Sequence, residues 1–443
     1  METEINKSQI VLHSDHRLEL TKYIILLAYF VLETLYQTIF GMYFDAVMDK
    51  LQCICAAALV CLLIFEWIRL DRQSKANWLK KHTIVFVYFI IRGITLVSVG
   101  FAYTMIRSLL FEVVYLLVFT ELILSSNFCG KVAFKFFIWS NLILNIFNVF
   151  FYIYCEKVLA DGTYAADAIY EFAKNYTYMG DFQWYNYCSM YINPNLMGLM
   201  TGLAMIIALN YLSKEMSTLK KIAAAAYYAF SLYCVWISNC SSVLVGLIAV
   251  AAAFVVAKNI RWFDEKKMVL LVLVCAVLTT CCIYGIVATH NDTEAHSEFE
   301  NQLDSLSTRR YTIWKDSYYS HKDELLLGCG NITLEKRDRY QYNLGKGIDP
   351  GFDISGSLVG YVGPHNGYVG MVSCTGILGF LAYLLVLLKK VKDSRSLNMG
   401  CWYLAIVFIL TINLFECFTV VSKNVFCMCM FLIISMEDRE VNL

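Results

Sequence analysis

The sequence predicts an all-α, polytopic membrane protein: one domain over residues 1–443, with about twelve transmembrane helices and two long extracytoplasmic loops. Three observations predict it. The chain is too apolar for a water-coated globule, apolar runs of spanning length recur along it, and its lysines and arginines fall on alternate linkers. Of the 443 residues, 59% are hydrophobic and 16% charged, with a mean hydropathy of +0.56. A soluble domain carries about 25% charged residues, so this chain lacks the polar surface to stay in water. The formal net charge is zero, and information lies in where the charges sit.

A helix needs roughly 20 apolar residues to cross about 30 Å of hydrocarbon. Twelve runs meet this, near 22–41, 49–67, 83–101, 106–125, 133–154, 193–212, 220–238, 241–257, 267–288, 366–388, 400–419 and 422–436. With the amino terminus inside, the cytoplasmic linkers hold Arg69, Arg72, Lys75, Lys80 and Lys81; then Lys131; then Lys214, Lys220 and Lys221. Lys258, Arg261, Lys266 and Lys267 follow, and last Lys389, Lys390, Lys392 and Arg395. The short outer linkers carry only Arg107 and Lys423. This is the positive-inside pattern, and it puts both termini in the cytoplasm.

Two linkers are long, 156–192 and 291–364, and both fall outside. Long loops in a compact protein are usually functional. The three prolines, Pro194, Pro350 and Pro364, lie on the same side. The loops follow the fifth and ninth helices, which breaks the symmetry of halves found in many secondary transporters. Most of the 17 cysteines lie inside apolar runs, where a thiol packs as a small hydrophobe. Neither a metal site nor a disulfide is expected.

Five short segments could carry chemistry. Taken as a helix, the start of the second loop sets Leu303, Leu306, Ile313 and Trp314 on one face, with Arg310 in its middle and Arg309 towards its edge. A guanidinium on a burying face needs an anion. It meets one as a bound phosphate or as a local salt bridge to Asp304 or Asp316, or it snorkels to water. His365 follows Pro364 where the loop re-enters the membrane, with Asn366 beside it. An imidazole there is either a general base or a helix cap. Asn193 and Pro194 suit an N-cap and first turn. A polar turn at 238–242 joins the seventh and eighth runs. Arg92 sits mid-span, where a charge is either functional or paired, with Glu33 and Glu112 within reach on neighbouring spans.

Taken together, these segments resemble the O-antigen polymerase and ligase superfamily. The counterparts of its motifs are Asn193-Pro194-Asn195, the 238–242 turn, Arg310 to Trp314, Gly328-Cys329-Gly330, His365-Asn366-Gly367-Tyr368 and Gly376 to Phe380, in that order over the central half of the chain. One departure stands out: the family turn carries an arginine where this chain has Ser241. The resemblance implies a GT-C-like, metal-independent, inverting glycosyltransferase of the plasma (inner) membrane, without a cofactor. Its donor would be an oligosaccharide on undecaprenyl pyrophosphate and its acceptor a glycan. Arg310 would face the pyrophosphate and His365 would take the acceptor's proton. Asn193, Asn195, Ser241, Arg309, Trp314, Asn366 and Arg92 would contact substrate, with Arg92, Arg107 or Arg309 replacing the missing arginine.

The implied product is a surface polysaccharide such as capsule, O-antigen or exopolysaccharide. Polymerase is favoured, because polymerases diverge more in these motifs, and a ligase passing finished glycan to an acceptor is the alternative. A flippase for lipid-linked oligosaccharide or a secondary transporter is the rival from another class, and a membrane scaffold a third. Membrane lipids, a flippase and a chain-length regulator are the expected partners, and nucleic acid is not.

Overall fold

The computed structural model describes residues 16–98, 103–122, 127–161, 178–179, 186–187, 190–191, 194–212, 216–260, 262–289, 298, 302–303, 305, 307, 310–330, 365–421 and 424–436. They are largely helical. In chain order the helices are α1 (His16–Tyr36), α2 (Ile39–Arg69), α3 (Arg72–Lys81), α4 (Thr83–Ser98), α5 (Tyr103–Val113), α6 (Phe119–Leu122) and α7 (Asn127–Asp161). There follow α8 (Pro194–Ala208), α9 (Thr218–Ser238), α10 (Ser241–Asn259), α11 (Glu265–Thr289), α12 (Arg310–His321), α13 (Gly367–Asp393), α14 (Trp402–Ile412) and α15 (Val425–Ser435). A π-helical turn, Val114–Val118, joins α5 to α6. A two-residue strand pair, β1 (Tyr178–Met179) with β2 (Asn186–Tyr187), is antiparallel.

Each of the twelve apolar runs contains a helix, but the helices are not alike. Among the described residues five stretches are long and apolar enough to cross a membrane: Phe44–Arg69, Val132–Ile153, Ser241–Asn259, Glu265–Thr289 and Gly367–Asp393. A sixth span forms if Arg72–Lys81 and Thr83–Ser98, bent by 69° at His82, count as one. The runs at 400–419 and 422–436 differ in kind. There the helices are 11 residues each, α14 and α15, and every residue in both is buried. Eleven residues rise only about 16 Å, well short of the hydrocarbon thickness. A helix that is apolar all round and enclosed on all sides belongs to a core, and these two form the centre around which α8, α10, α11 and α13 pack.

Polar side chains fasten helix to helix inside this apolar mass. On α7, Asn141, Asn145 and Asn148 recur on one buried face. The Asn141 amide donates to the Tyr191 hydroxyl at 2.7 Å, the Asn145 amide to the Thr201 hydroxyl of α8 at 3.0 Å, and the Met190 N–H to Asn148 Oδ1 at 2.9 Å.

The longest span is broken on purpose. Within α13, Gly376 takes φ +67 and interrupts the helix, and the segment around Gly328 (φ +77) inserts beside the break. Four backbone bonds close the gap: Cys329 N–H to Ser373 O at 2.8 Å, Gly330 N–H to Cys374 O at 2.9 Å, Ile377 N–H to Leu325 O at 2.8 Å and Leu378 N–H to Leu326 O at 3.3 Å. Both glycines are required here. A Cβ on Gly328 would stand 2.4 Å from Gly376 N, and one on Gly376 would stand 2.3 Å from Leu326 O.

Arg92, on α4, completes the joint. Its Nη1 donates to Cys374 O and its Nη2 to Gly330 O, each at 3.1 Å, while Nε and Nη2 clasp the Glu112 carboxylate at 2.9 and 2.7 Å. Glu112 also accepts from the Tyr88 hydroxyl at 2.8 Å and the Ser108 hydroxyl at 3.0 Å. Next along α4, the Thr95 hydroxyl donates to Leu327 O at 2.7 Å. Of the two roles the sequence leaves open for Arg92, pairing is the one the structure shows, with Glu112 as the partner.

Breaking one side of a buried ion pair costs about 3–5 kcal/mol. Arg92→Met should therefore lower the thermal midpoint of the detergent-purified protein sharply. Arg92→Met/Glu112→Leu should recover part of the loss by removing the stranded carboxylate. A single variant as stable as the parent would show that the pair does not hold the fold.

Candidate functional site

The site grows from the amino end of α13. Asn366, fully buried, caps this helix: its Oδ1 accepts from Tyr368 N–H at 3.0 Å and Val369 N–H at 3.1 Å. Its Nδ2 is left without a hydrogen-bond partner among the described residues. His365 precedes it with φ +44. That left-handed conformation is uncommon for a residue with a side chain and costs on the order of 1–3 kcal/mol. It is held because the next residues are fixed on both sides. Gly367 N–H donates to Asn413 O at 2.7 Å, and the Tyr368 hydroxyl to Leu410 O at 3.0 Å, which ties α13 to the end of α14.

The turn after α14 supplies the rest. The Asn413 side chain accepts from Phe418 N–H at 2.7 Å and so curls the chain back. This presents Leu414, Phe415, Glu416 and Cys417, partly exposed, between buried neighbours. One oxygen of Glu416 lies 3.3 Å from His365 Nδ1, and the other accepts from Asn195 Nδ2 at 2.8 Å. Asn195 belongs to the first turn of α8, so the carboxylate joins three separate elements. About a third of the His365 side chain (31%) remains accessible, against 14% for Glu416. The imidazole is thus reachable while its orienting partner is sheltered.

Arg310, first residue of α12, approaches the same turn. Its guanidinium carbon stands 5.8 Å from the centre of the Phe415 ring, a cation–π contact, and its Nη1 is 3.5 Å from Ser307 O. Among the described residues its Nε is buried without a hydrogen-bond partner and no carboxylate pairs with it; Asp304 and the Asp316 side chain lie outside them. Trp314, one turn further along α12, is half-buried.

The 238–242 turn closes another side. Asn239 takes φ +51 to end α9, and Ser241, exposed, begins α10. The turn lies hard against α8, since a Cβ on Gly198 would stand 2.6 Å from Ser238 Oγ and 2.9 Å from Cys240 Cβ. Burial raises the Cys240 thiol above its ordinary pKa; the Ser242 hydroxyl offsets part of this and the nearby Glu416 charge adds to it.

The structure therefore brings Asn195, Arg310, His365 and Asn366 around one short turn, with Ser241 on the adjoining one. It does not bring Arg92, which is enclosed in its own ion pair. Arg107 is likewise engaged, its Nη1 donating to Asp49 at 2.7 Å. Asn193 and Arg309 lie outside the described residues, as does most of both long loops. Sequence reasoning missed Glu416. The signal was present: it is the one charged residue in the apolar run 400–419, and an ionisable group inside such a run is a functional candidate. Among the described residues no group of three or more His, Cys, Asp or Glu is placed to hold a metal ion.

What the arrangement can do is move a proton. If Nδ1–H donates to Glu416, the free lone pair is on Nε2, ready to accept. The tautomer is an assignment from this contact. A guanidinium whose Nε has no partner among the described residues stands across the same turn, suited to an anion.

Residues 226–384 match the family model described as O-antigen ligase. The match runs from within α9 to within α13 and contains Ser241, Arg310, the Gly328-Cys329-Gly330 insertion and His365. Asn195 and Glu416 lie outside it. No curated protein and no solved structure matches the chain.

A methyl group on Gly367 would stand 2.0 Å from Asn413 Oδ1. Gly367→Ala should displace the turn that carries Glu416 at a cost of about 1–3 kcal/mol, so that folded protein persists with reduced turnover. The check is a thermal midpoint in detergent beside an assay of glycan transfer. Full turnover would show that the turn's position is immaterial.

Proposed function

We propose that this member of the O-antigen polymerase and ligase superfamily, a membrane-bound, glycan-transferring enzyme, polymerises oligosaccharide repeat units carried on a polyprenyl pyrophosphate. The observation that carries the reading is the Asn195–Glu416–His365 line beside Arg310. Family and geometry meet in it, because the matched stretch supplies the imidazole and the guanidinium while residues beyond it supply the orienting carboxylate.

In this reading His365 Nε2 takes the proton from an acceptor sugar hydroxyl as its oxygen attacks the anomeric carbon. The new glycosidic C–O bond forms while the bond from that carbon to the pyrophosphate oxygen breaks. The electron pair leaves with the polyprenyl pyrophosphate. Arg310 offsets the charge gathering on the departing group, and attack from the opposite face inverts the anomeric centre. Glu416 holds the imidazole in the accepting tautomer and stabilises it once protonated, the role a carboxylate plays beside histidine in hydrolytic triads. Asn366, with an unspent amide, and Trp314 are assigned to the sugar. Asn193 and Arg309, flanking these groups in sequence, remain assigned to substrate. Ser241 stands where the family has an arginine, and with Arg92 and Arg107 spent in ion pairs, Arg309 is the replacement this proposal retains.

Polymerase is preferred to ligase on this departure at Ser241. The remaining expectations belong to the same proposal: the bacterial inner membrane, both termini in the cytoplasm, outer loops at 156–192 and 291–364, and working partners in a flippase and a chain-length regulator.

The test replaces His365 by Ala, Arg310 by Ala and Glu416 by Gln in the native strain, with membrane levels checked. Losing a general base should cost about 10²–10⁴ in rate. Losing one charged hydrogen bond to it should cost about 10- to 100-fold, so Glu416→Gln should retain the most activity. Surface polysaccharide and lipid-linked intermediates are then resolved by size. Single repeat units accumulating on lipid support the polymerase. Long chains retained on lipid but missing from their acceptor would make it a ligase. Unchanged polysaccharide in all three variants would remove the proposal.

A further inference from the structure

At the opposite end of α13 from His365 lies a cavity of about 140 Å³. It is set where α13 ends, between the α3–α4 elbow and the end of α15. That volume is several times the ~30 Å³ share of one water molecule. Its wall is cationic: Lys81 from α3, Lys389 and Lys390 from α13, and Arg395 from the turn that follows. Against these four stands one lining carboxylate, Asp393, with Glu121 behind the wall. Glu121 is engaged: it accepts from Lys81 Nζ at 2.7 Å and Trp78 Nε1 at 3.1 Å, and lies 2.9 Å from His82 Nε2. Among the described residues, four basic side chains thus stand at the cavity against these two carboxylates. One of the four cations, Lys390, is buried, its side chain only 8% exposed as a residue and its ammonium 6.0 Å from the Phe431 ring centre. Ser435 lines the same cavity with a buried hydroxyl that has no hydrogen-bond partner among the described residues.

The rest of the wall is largely apolar, with Ile84, Val85, Val386, Ile434 and Met436 beside His82 and Ser394. Beside it, on the outer surface of α13 and α4, Leu385, Leu388 and Val87 are exposed, at 54%, 37% and 46%. Exposed apolar side chains on spanning helices face hydrocarbon. The cavity thus sits at the seam between an acyl-chain surface and the basic linkers that the charge pattern assigns to the cytoplasm. A free phosphate would find use for the cations alone. A ligand with an anionic head and an apolar body would use both walls.

We propose that this cavity binds the phosphate headgroup of an anionic phospholipid of the inner leaflet, with Lys389, Lys390 and Arg395 on the phosphate and the apolar wall on the glycerol and first acyl carbons. The site does not depend on the glycan chemistry proposed above. Bound there, the lipid would pin the cytoplasmic end of the broken helix to the α3–α4 elbow, where Lys389 Nζ already donates to Lys81 O.

The test is native mass spectrometry of the full chain purified in detergent, with phosphatidylglycerol and phosphatidylcholine of identical acyl chains as competing probes. The parent protein should retain phosphatidylglycerol preferentially. Near a membrane surface each lysine or arginine is worth about 1 kcal/mol towards an anionic lipid, roughly fivefold. Lys389→Gln/Arg395→Gln should therefore cut the preference by about 25-fold. These two side chains are not in the buried core, so the variant should fold, which its thermal midpoint would establish; Lys390→Met serves as the second variant. Lys220→Gln/Lys221→Gln, on the distant and exposed start of α9, is the charge control and should change little. An equal loss in the control would reduce the effect to general charge and overturn the proposal. Equal retention of the two lipids by the parent would do the same. Displacement of the lipid by millimolar inorganic phosphate would assign the cavity to a soluble anion instead.

Discussion

A guanidinium buried among apolar helices joins the parts of this protein that would otherwise not stay together. The break at Gly376 releases backbone groups of α13 inside the bundle, and the segment at 325–330 answers them with its own N–H and C=O groups. Two carbonyls in this joint, Cys374 O and Gly330 O, point to Arg92. Arginine can serve both and still fork onto a carboxylate, because its five N–H donors lie fixed in one plane. Lysine, whose three donors share one nitrogen, could not span these acceptors. Glu112 then neutralises the charge, and Tyr88 and Ser108 complete its hydrogen bonding. A buried polar network of this kind is tolerable only when every member is satisfied, which makes its residues mutually dependent. Three features separate in sequence, the mid-span arginine, the Gly328-x-Gly330 pair and the interrupted helix, are therefore one device. It fixes the described end of the second long loop against α13 and so sets the helix that His365 begins.

The helices were legible because hydrophobic runs of spanning length are a strong signal, and all twelve contain helix. What each helix does was less legible. Hydropathy does not distinguish a side chain facing lipid from one facing another helix, so 400–419 and 422–436 read as spans although their helices are enclosed and about half the needed length. The same ambiguity hid Glu416. Inside an assumed span it passes as an isolated charge, whereas α14 in fact stops at Ile412 and Glu416 falls in a turn. Arg92 shows the other limit. Its alternatives, ion pair or ligand contact, differ only in whether a carboxylate twenty residues away arrives at the same point in space, and no periodicity in the sequence encodes that. Arg310 and His365, by contrast, are singled out in the sequence by type and position, since an arginine on an apolar face and a histidine at a membrane re-entry are uncommon enough to stand out.

The shortness of α14 explains why a polar cluster can sit here at all. Irregular backbone within a bilayer's thickness is stable only where protein encloses it or where it lines a wet cavity. The turn after Ile412 meets the first condition at both of its flanks: Asn413, Phe418, Thr419 and Val420 are buried, Gly367 N–H binds Asn413 O, and Asn424 caps α15 through Cys427 N–H at 2.7 Å. The second condition is left to residues 414–417, the stretch with partial exposure and the one that holds Phe415 and Glu416. Enclosure lowers the local dielectric, so the contact between Glu416 and His365 is stronger than it would be in water. Among the described residues Arg310 Nε has no partner, and the same enclosure makes such a donor expensive to leave unused. An aromatic ring offsets only part of that cost, at about 0.5–2 kcal/mol. A pyrophosphate arriving beside Phe415 would relieve the rest, and would do so one residue from the carboxylate that steers the base. In the proposed reaction this geometry would couple anion capture to proton transfer through two adjacent residues of a single turn, and a helix of full spanning length would have carried both away from the site.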